Sequence, residues 1–568
     1  MAKGVKIYFI GGIGEIGKNM YAFECEDDII VVDAGLGFTN DEMPGIDMVV
    51  QDLTWLIQNK DKVRAYVITH GHEDHIGGLP NALKSVPAPV YGSRLSLALI
   101  ERKLTEHPGI KIKAFAVRPR SVVTIGQFQV EFVHANHNIA GTFMLSITTP
   151  VGVIFFASDF KIDYSAYDGQ TTDLTRIGEI GKKGVVLMMC ECTNAERSGH
   201  TISETEAGAH LDAVFAQNTG RRMLVGTFAS NVHRVQQLLD IAQKYNRKVI
   251  FCGRSMINVS DVAIKIGEMR ARPENIIDIN QIGNYKDSEL LIILTGSQGE
   301  PRSALVRMSS GEFPKIQINS NDTVVFASSP IPGNEDRVNR VINNLIKCGA
   351  EVVYESLAGV HASGHACEEE FKLMIHLLNP HYFVPMHGEY KMMKKNAMLA
   401  EKLGIQKRNI LTPDLGDVFE LTQASLKHVG AIPAGAVYID GNGSGTPDSV
   451  VIRDRQTLSE EGICVIGIGF DNKSGEIVSG PDVITRGLLY NDELIEQMDA
   501  VRGVVTDSVT QNNLNLAKND VGDIRNQIRK DVQNYFQKAI KRKPLVITML
   551  QANERFDKKP RPMNNEVL

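Results

Sequence analysis

Short apolar runs alternate with polar turns and amphipathic segments through the first two thirds of the chain. The runs VKIYFI, MYAFEC, IIVVDAG and RAYVITH predict strands, and RLSLALIERKL predicts a helix. Strands and helices alternate again between residues 201 and 366, from RRMLVGTFA to RVNRVINNLIKCG. The chain is therefore predicted to be α/β, and its second region is predicted to carry a mostly parallel sheet.

Two stretches mark changes in this pattern. SGHTISETE at 198–206 predicts a helix start, with Thr201 and Glu204, or Ser203 and Glu206, forming a capping box. DGNGSGTPDS at 440–449 combines Gly, Ser, Pro and Asp and predicts a linker. A small α+β region is expected after it, with strands near 450–453 and 463–470, helices near 491–504 and 518–541, and a last strand PLVITML.

Composition narrows the class of protein without revealing a substrate. The 568 residues suggest roughly three or four domains. The net charge of −6 is not the bulk signature of a nucleic-acid binder, so an RNA substrate would need a locally positive groove. No apolar run approaches the ~18–20 residues that span a bilayer, which predicts no membrane association. Seven scattered cysteines argue against a disulfide framework and favour a reducing cytoplasm.

One polar segment contrasts with this background. ITHGHEDHIGG at 68–78 places three histidines and two acids directly after an apolar strand. Burying several imidazoles and carboxylates is costly unless a metal ion pairs with them. His70 and His72 alternate along an extended loop, while Asp74 and His75 follow a turn and can face a second ion. These ligand types favour Zn²⁺, Mn²⁺ or Fe²⁺ over Ca²⁺, and a solvated histidine-rich turn is the alternative.

Other strand ends offer further ligands, because one loop cannot complete two metal shells. His137 in EFVHANHNIAG, Asp159 in GVIFFASDF and His387 in YFVPMHGEY each follow an apolar run. Taken singly, each is more simply a capping or turn residue. Together with HGHEDH they predict a metal centre built from several strand ends.

These motifs resemble the metallo-β-lactamase superfamily through HGHEDH, Asp33 in VVDAG, His137 and Asp159. CECTNAE at 190–196, HASGHA at 361–366 and MHGEY at 386–390 resemble three motifs of the β-CASP nucleases. With GGIGEIGKNM, TGSQGEP and the C-terminal region, the whole chain resembles the bacterial ribonuclease J family. The resemblance implies a metallo-β-lactamase αββα sandwich at 1–200 and 367–440, an inserted parallel α/β β-CASP domain at 201–366, a linker at 441–449 and an α+β assembly domain at 450–568.

The resemblance also implies a role for each residue of the metal centre. Two divalent ions, Zn or Mn, are expected in each subunit. Asp33 is expected to orient ligands of the first loop without binding metal. One ion is expected at His70, His72 and His137, the other at Asp74, His75 and His387, with Asp159 bridging them.

Catalysis and substrate binding are assigned by the same resemblance. Asp74, Glu191 and His365 are the expected catalytic residues; His365 donates a proton to the leaving group and Glu191 orients it. In HASGHA, Gly364 lets the backbone approach a phosphate while Ser363 and His361 offer donors, which makes an anion-binding nest. The family holds the RNA 5′ phosphate there. The expected substrate-binding residues are His361, Ala362, Ser363, Gly364 and His365.

Several segments keep two interpretations. TGSQGEP at 295–301 and SSPIPGNE at 328–335 either line the RNA groove or form ordinary turns between strands and helices. The basic runs KAIKRKP and KKPRP are either solvated faces or RNA contacts. A structural cation, Ca²⁺, is expected by resemblance at Asp47 and Asp440.

The function implied is a metal-dependent ribonuclease with 5′-to-3′ exonuclease and endonuclease activity on single-stranded RNA. It would prefer 5′-monophosphate ends and act in mRNA decay and rRNA processing. A homo-oligomer, a dimer or tetramer, is expected, with a paralogue subunit as a further partner. The alternatives are a structural paralogue subunit of an RNA-degrading complex, a β-CASP nuclease acting on DNA, and a metallohydrolase of small esters.

Three departures from the family pattern bear on these expectations. NIAG follows His137 where members commonly have Ser-Ile-Pro and an acid, so the local turn is expected to differ. CECT carries Glu191 where members often have Asp, which changes the reach of the carboxylate. ERSGH lacks a proline common before that glycine. None of the three removes an expected metal ligand.

Overall fold

A computed structural model gives the architecture of the chain. It describes residues 4–37, 43–331, 333–354, 359–440, 449–471, 473–474, 476–488, 494–511 and 521–553. The predicted linker at 441–449 lies outside these ranges except for its last residue. The chain forms two compact units, Met1–Phe38 with Met48–Val437, and Thr39–Asp47 with Tyr438–Leu568.

The first unit contains two sheets that face each other across one apolar core. Aromatic side chains from both sheets meet there, and the ring centroids of Tyr21 and Phe156 lie 5.2 Å apart. The eight-stranded first sheet runs Leu426–Ala431, Asp417–Leu421, Val5–Gly11, Met20–Cys25, Asp28–Val32, Val63–Val67, Val90–Gly92 and Ala114–Ala116. The six-stranded second sheet runs Tyr382–Met386, Leu187–Glu191, Gly152–Ala157, Phe143–Thr149, Phe128–His134 and Val122–Ile125.

Helices cover the outer face of each of these sheets. Thr54–Gln58, Leu79–Ser85 and Arg94–Leu104 bury apolar side chains against the first sheet. Leu174–Lys183, Glu368–Leu378 and Tyr390–Lys402 do the same on the second sheet. The result is a helix–sheet–sheet–helix sandwich, which confirms the fold expected for this part of the chain. The short helix Glu73–Ile76 follows His72, and two further strands span Met48–Gln51 and Ala436–Ile439.

A third sheet forms the inserted region, and all of its strands are parallel. Alternate side chains of its strands are buried on opposite faces, which explains the near-continuous apolar runs in the sequence. Its strand order is Lys248–Cys252, Leu290–Leu294, Arg222–Gly226, Asp322–Phe326 and Glu351–Val353. The helices around it are Glu204–Gln217, Val232–Lys244, Arg254–Ile266, Ala304–Ser309 and Glu335–Lys347.

The second unit is a small α+β fold. Its three-stranded sheet has the order Ile477–Arg486, Ile463–Asp471 and Leu545–Asn553. Helices Leu494–Gln511 and Val521–Ala539 bury a face of apolar side chains against this sheet, and the third helix is Ser449–Glu461. None of the helices in the described ranges combines the length and the hydrophobicity of a bilayer-spanning segment.

Local details correct two sequence expectations. The strand expected near 450–453 is wrong, because Ser449–Glu461 is a helix. Three β-branched residues open this segment, yet the nine residues after them are mostly good helix formers, and Gly462 with φ +75° can end the helix. Of the two capping options, Ser203 is the N-cap, and its hydroxyl accepts a hydrogen bond from the amide of Thr205.

Glu204 joins the inserted region to the sandwich through buried ion pairs instead of capping a helix. Its carboxylate lies 3.2 Å from Nζ of Lys161 and 2.7 Å from a guanidinium nitrogen of Arg234, and all three side chains are buried. Burial alone would raise the pKa of Glu204, but the two cations outweigh it and lower the pKa to about 2. Arg234 also donates to the carbonyl of Val360, directly before HASGHA.

We expect Glu204→Gln to destabilise the protein by about 3–5 kcal/mol, because it removes the carboxylate that the buried cations Arg234 and Lys161 share, and leaves Lys161 with Asp163 alone. Glu206→Gln is the matched control, since Glu206 lies on the same helix but is exposed. Urea unfolding followed by circular dichroism measures both variants. Equal unfolding midpoints for the two variants would contradict the importance of the buried network.

Candidate active site

The topology brings the polar strand ends to one edge of the sandwich. In the second sheet, Gly152–Ala157, Leu187–Glu191 and Tyr382–Met386 run parallel, with Ala157 beside Cys190 and Glu191 beside Met386. The residues that follow them therefore meet at the same edge. In the first sheet Val32 pairs in parallel with Val67, so Asp33 and the histidine-rich loop also end together.

Three imidazoles and one carboxylate form what we call the first ligand group: His70, His72, His137 and Asp159. Their potential ligand atoms all lie within 4.8 Å of one another. Nδ1 of His72 is 3.0 Å from Nε2 of His70 and 3.0 Å from Nε2 of His137. Oδ2 of Asp159 is 3.7 Å from Nε2 of His70. This is the set that the sequence predicted for one ion.

The second ligand group is Asp74, His75, Asp159 and His387, again with ligand atoms within 4.8 Å of one another. Nε2 of His387 is 3.2 Å from Oδ2 of Asp74, and Nε2 of His75 is 3.4 Å from Oδ2 of Asp159. Asp159 belongs to both groups, as expected for a bridging residue. The structure thus assembles all seven predicted ligands, although their binding of metal stays a prediction.

Hydrogen bonds behind the imidazoles fix their orientation. Oδ2 of Asp33 lies 2.8 Å from Nδ1 of His75, and its carboxylate also accepts from the amide and hydroxyl of Thr69. Nδ1 of His137 donates to the carbonyl of Gly364 at 2.6 Å. Because Nδ1 is occupied in each case, Nε2 is left to face the centre. Asp33 thus lies where the sequence placed it, behind the ligands.

Burial and charge shape the protonation of the cluster. Burial lowers the pKa of His70 and His137 well below the usual range and that of His72 to about 4, which keeps these imidazoles neutral. Burial also opposes the charging of His75, but Asp159, Asp74 and Asp33 outweigh it and raise its pKa. Neutral imidazole is the form that ligates metal ions.

The donor set fits divalent metal ions. One oxygen of Asp159, Oδ1, is buried and has no hydrogen-bond partner among the described residues. A buried carboxylate oxygen without a partner is costly, and a cation is the group that would satisfy it. Mixed imidazole and carboxylate ligands suit Zn²⁺ and Mn²⁺.

Glu191 and His365 form a pair at the edge of the metal cluster. Nδ1 of His365 is 3.2 Å from Oε1 of Glu191, so the glutamate reaches its partner despite the departure from Asp. Burial alone would lower the pKa of His365, but Glu191 and Asp159 raise it to about 9. These carboxylates thus favour the protonated form of the imidazole. The buried Glu191 carboxylate also accepts from the amide of Thr193 at 3.0 Å.

The HASGHA segment lies directly against the first ligand group. A Cβ on Gly364 would come within 2.5 Å of the His137 ring, so glycine is needed for this close approach. The Ser363 hydroxyl accepts from Nδ2 of Asn194 and from the amide of His365. Ala362 and His361 are buried, so their side chains face the interior. Binding of a phosphate by this segment stays a prediction.

The other predicted features are placed as follows. TGSQGEP contacts SSPIPGNE, since Gln298 donates to the carbonyl of Ser329 and accepts from the amide of Ile331. Asp440 accepts a hydrogen bond from Arg455, and the amide of Asp47 donates to the carbonyl of Ile439. A structural cation at Asp47 and Asp440 stays a prediction. KKPRP lies outside the described ranges.

Three supporting residues were missed by the sequence analysis: Asn19, Thr69 and Thr193. The Asn19 amide donates to the carbonyl of Asp74 and lies 3.2 Å from Nε2 of His75. Asn19 ends the GGIGEIGKN run and Thr193 lies within CECT, so both are inside motifs that the sequence had marked. The predicted ligands that they contact, Asp74 and His75 for Asn19 and His387 for Thr193, are more than 50 residues away in the chain, and no local pattern predicts such contacts.

The fold and the histidine–aspartate cluster define a hydrolase of the metallo-β-lactamase superfamily, and residues 13–159 match that superfamily. Residues 220–345 match the ribonuclease J beta-CASP domain, 350–413 the Zn-dependent metallo-hydrolase RNA specificity domain, and 450–553 the ribonuclease J C-terminal domain. The chain belongs to the ribonuclease J family. It is accordingly a metal-dependent ribonuclease that binds RNA, which confirms the expectation of an enzyme.

Curated relatives cover nearly the whole chain. Ribonuclease J of Synechocystis is 38% identical and covers 99% of this chain and 88% of its own length. Ribonuclease J of Thermus thermophilus is 37% identical and covers 96% of this chain and 95% of its own length. Ribonuclease J2 of Bacillus subtilis is also 37% identical and covers 96% of this chain and 98% of its own length. A crystal structure of a protein of unknown function from Enterococcus faecalis has a TM-score of 0.54 at 16% identity. It covers 74% of this chain and 100% of its own, and supports the fold alone.

Proposed function

We propose that this ribonuclease uses two divalent ions, Zn or Mn, and degrades single-stranded RNA both from the 5′ end and internally. The observation that carries the proposal is the pair of ligand groups that share the buried carboxylate of Asp159. Each group supplies imidazole and carboxylate together, and the distances within the groups suit ions of this size. Ions bound there would supply an activated water and would stabilise charge on the attacked phosphate.

Two residues beside the ligand groups, His365 and Glu191, would act together to protonate the leaving group. Glu191 and Asp159 favour the protonated form of His365, which lies beside the ligand groups and would donate its proton to the departing 3′ oxygen. Glu191 holds the His365 ring through Nδ1, which leaves Nε2 as the donating atom. Asp74, beside His387, would contribute to catalysis as a ligand. These roles rest on geometry and on the family resemblance.

Preference for a 5′-monophosphate would come from the HASGHA segment, where Ser363 and Gly364 sit close to the metal cluster. A terminal phosphate bound near Gly364 would place the first phosphodiester within reach of His137 and its neighbours. Such a pocket favours one phosphate over three by size alone. Internal cleavage would need no terminal phosphate. Action in mRNA decay and rRNA processing, and a cytoplasmic location, are proposed from the resemblance and the seven free thiols.

The C-terminal region, 450–568, is proposed to assemble the chain with a second copy after the linker at 441–449. Cys464 and Ile466 point to the helices, so alternate residues face the other side of the sheet. On that side Ile484, Ile547 and Met549 are 55%, 43% and 60% exposed. Neighbouring strands bring these side chains together, since Val465 pairs with both Ile484 and Ile547. A dimer or tetramer would cover this face.

The central experiment compares matched RNA and DNA oligomers that carry a 5′-monophosphate or a 5′-triphosphate, with Mn²⁺ or Zn²⁺ added. Wild-type protein should degrade 5′-monophosphorylated RNA fastest.

Asp74→Ala should abolish hydrolysis and lower the metal content, because it removes a carboxylate from the second ligand group, while the circular dichroism spectrum stays unchanged. Wild-type turnover with unchanged metal content in Asp74→Ala would contradict the two-metal proposal.

Ser363→Leu should slow exonuclease decay more than internal cleavage. The substitution fills the space beside Gly364 and removes the acceptor for Asn194 without changing a metal ligand. A lost charge-assisted hydrogen bond of about 1.5–3 kcal/mol corresponds to roughly ten- to a hundredfold in rate. Circular RNA isolates internal cleavage, and metal content serves as the control. Equal loss of both activities would show that the segment is not a specific sensor of the 5′ end.

Ile547→Asp should reduce the mass of the assembly, because it places a charge in the middle of the exposed apolar face of the C-terminal sheet. Val429→Asp is the matched control: Val429 is an exposed apolar residue of the strand Leu426–Ala431 in the other unit. Sedimentation equilibrium of the full-length variants measures the mass. An unchanged ratio of mass to protomer in Ile547→Asp would exclude this face from the assembly.

A further inference from the structure

The hydroxyl of Thr193 contacts two groups of His387, a predicted metal ligand: the ring nitrogen Nδ1 and the backbone carbonyl. It lies two residues after the strand Leu187–Glu191, within CECT. Its hydroxyl oxygen is 3.0 Å from Nδ1 of His387, and the same hydroxyl donates to the carbonyl of His387 at 3.2 Å. The two residues are 194 positions apart, so the contact exists only in the folded protein.

This double contact favours one tautomer of His387. A carbonyl oxygen only accepts, so both contacts are hydrogen bonds when the single hydroxyl hydrogen of Thr193 goes to the carbonyl of His387 and the hydroxyl oxygen accepts from Nδ1. The proton of the neutral imidazole must then sit on Nδ1. Nε2 keeps its lone pair and faces Oδ2 of Asp74 at 3.2 Å and Oδ1 of Asp159 at 3.7 Å. A metal ligand needs this lone pair.

The backbone of His387 also needs support. Its φ of +52° lies in the left-handed region, which is uncommon for a residue other than glycine. Such a conformation persists when surrounding contacts over-determine it. Two hydrogen bonds do so here: the amide of His387 donates to the carbonyl of Gly12, and its carbonyl accepts from Thr193.

The backbone amide of Thr193 contacts the pair formed by Glu191 and His365. It donates to Oε2 of Glu191 at 3.0 Å, while Oε1 of the same carboxylate lies 3.2 Å from Nδ1 of His365. One residue thus contacts both a predicted metal ligand and the carboxylate that orients the proton donor. The hydroxyl and the amide act separately, so a change of side chain leaves the contact with Glu191 in place.

We propose that Thr193 is a positioning residue whose hydroxyl sets the tautomer and the backbone of His387 for the ion of the second ligand group. This inference rests on the proposed two-ion function. Removing the hydroxyl should weaken binding of that ion, because the His387 ring can then rotate or change tautomer. The first ligand group does not contact Thr193 through any hydrogen bond found in the described residues, so its ion should be unaffected.

Three full-length variants test the proposal. Thr193→Val keeps the shape of the side chain and removes the hydroxyl, Thr193→Ser keeps the hydroxyl, and His387→Ala marks the loss of the second ligand group. Zn²⁺ and Mn²⁺ binding to the metal-free proteins is measured by titration calorimetry, and bound metal is counted by mass spectrometry. Thermal unfolding of the metal-free proteins reports on structural damage.

His387→Ala should lose the ion of the second ligand group. Thr193→Val should still bind this ion, but with an affinity about 10–100-fold lower than that of the wild-type protein. Its kcat should fall with little change in KM, because the hydroxyl bonds to His387, outside the HASGHA segment that is proposed to bind the RNA. Thr193→Ser should restore both metal affinity and kcat, and metal-free Thr193→Val should unfold at the wild-type temperature.

Wild-type metal affinity in Thr193→Val would overturn the inference. A Thr193→Ser variant whose metal affinity and kcat are reduced as much as those of Thr193→Val would also overturn it. The proposed function has a separate failure. If the wild-type protein binds fewer than two ions, the two-ion function falls and this inference falls with it. If the wild-type protein and Thr193→Val both bind two ions with equal affinity, only the proposed role of Thr193 is wrong.

Discussion

The buried carboxylate of Asp159 is the constraint around which the site is organised. It lies within 3.4–3.9 Å of ring nitrogens from His75, His137 and His365 and belongs to both ligand groups. A charge in this position is tolerable only if several partners converge on it from different strands. The parallel ends of the second sheet provide that convergence. The fold and the site therefore depend on the same arrangement of strands.

Buried polar networks extend this arrangement to the inserted region. Lys161, two residues after Asp159, pairs with Glu204, and Glu204 pairs in turn with Arg234. The loop that carries the shared carboxylate is thus tied to two helices of the parallel domain. Breaking such pairs is costly because the remaining charges cannot reach water. Specific ionic contacts, in addition to apolar packing, fix the inserted region next to the two ligand groups.

The sequence predicted most of the strands and the parallel inserted sheet, because each depends on a local pattern. Apolar runs ending in His or Asp marked His137 and Asp159 as candidates only in combination with HGHEDH, and the full ligand set came from the family resemblance. The strand predicted near 450–453 was wrong, because the three β-branched residues there are followed by mostly good helix formers, and the whole of Ser449–Glu461 is a helix. Asn19 and Thr193 were missed because their roles depend on hydrogen bonds to remote segments. Domain boundaries at 200 and 366 stay predictions.

Gly364 limits the substitutions that the HASGHA segment can accept during evolution. Its carbonyl accepts the Nδ1 proton of His137, and its α-carbon leaves no room for a side chain beside that ring. The peptide proposed to sense the end of the RNA is therefore also part of the metal centre. A lineage that altered its choice of RNA ends by reshaping this loop would disturb its own chemistry.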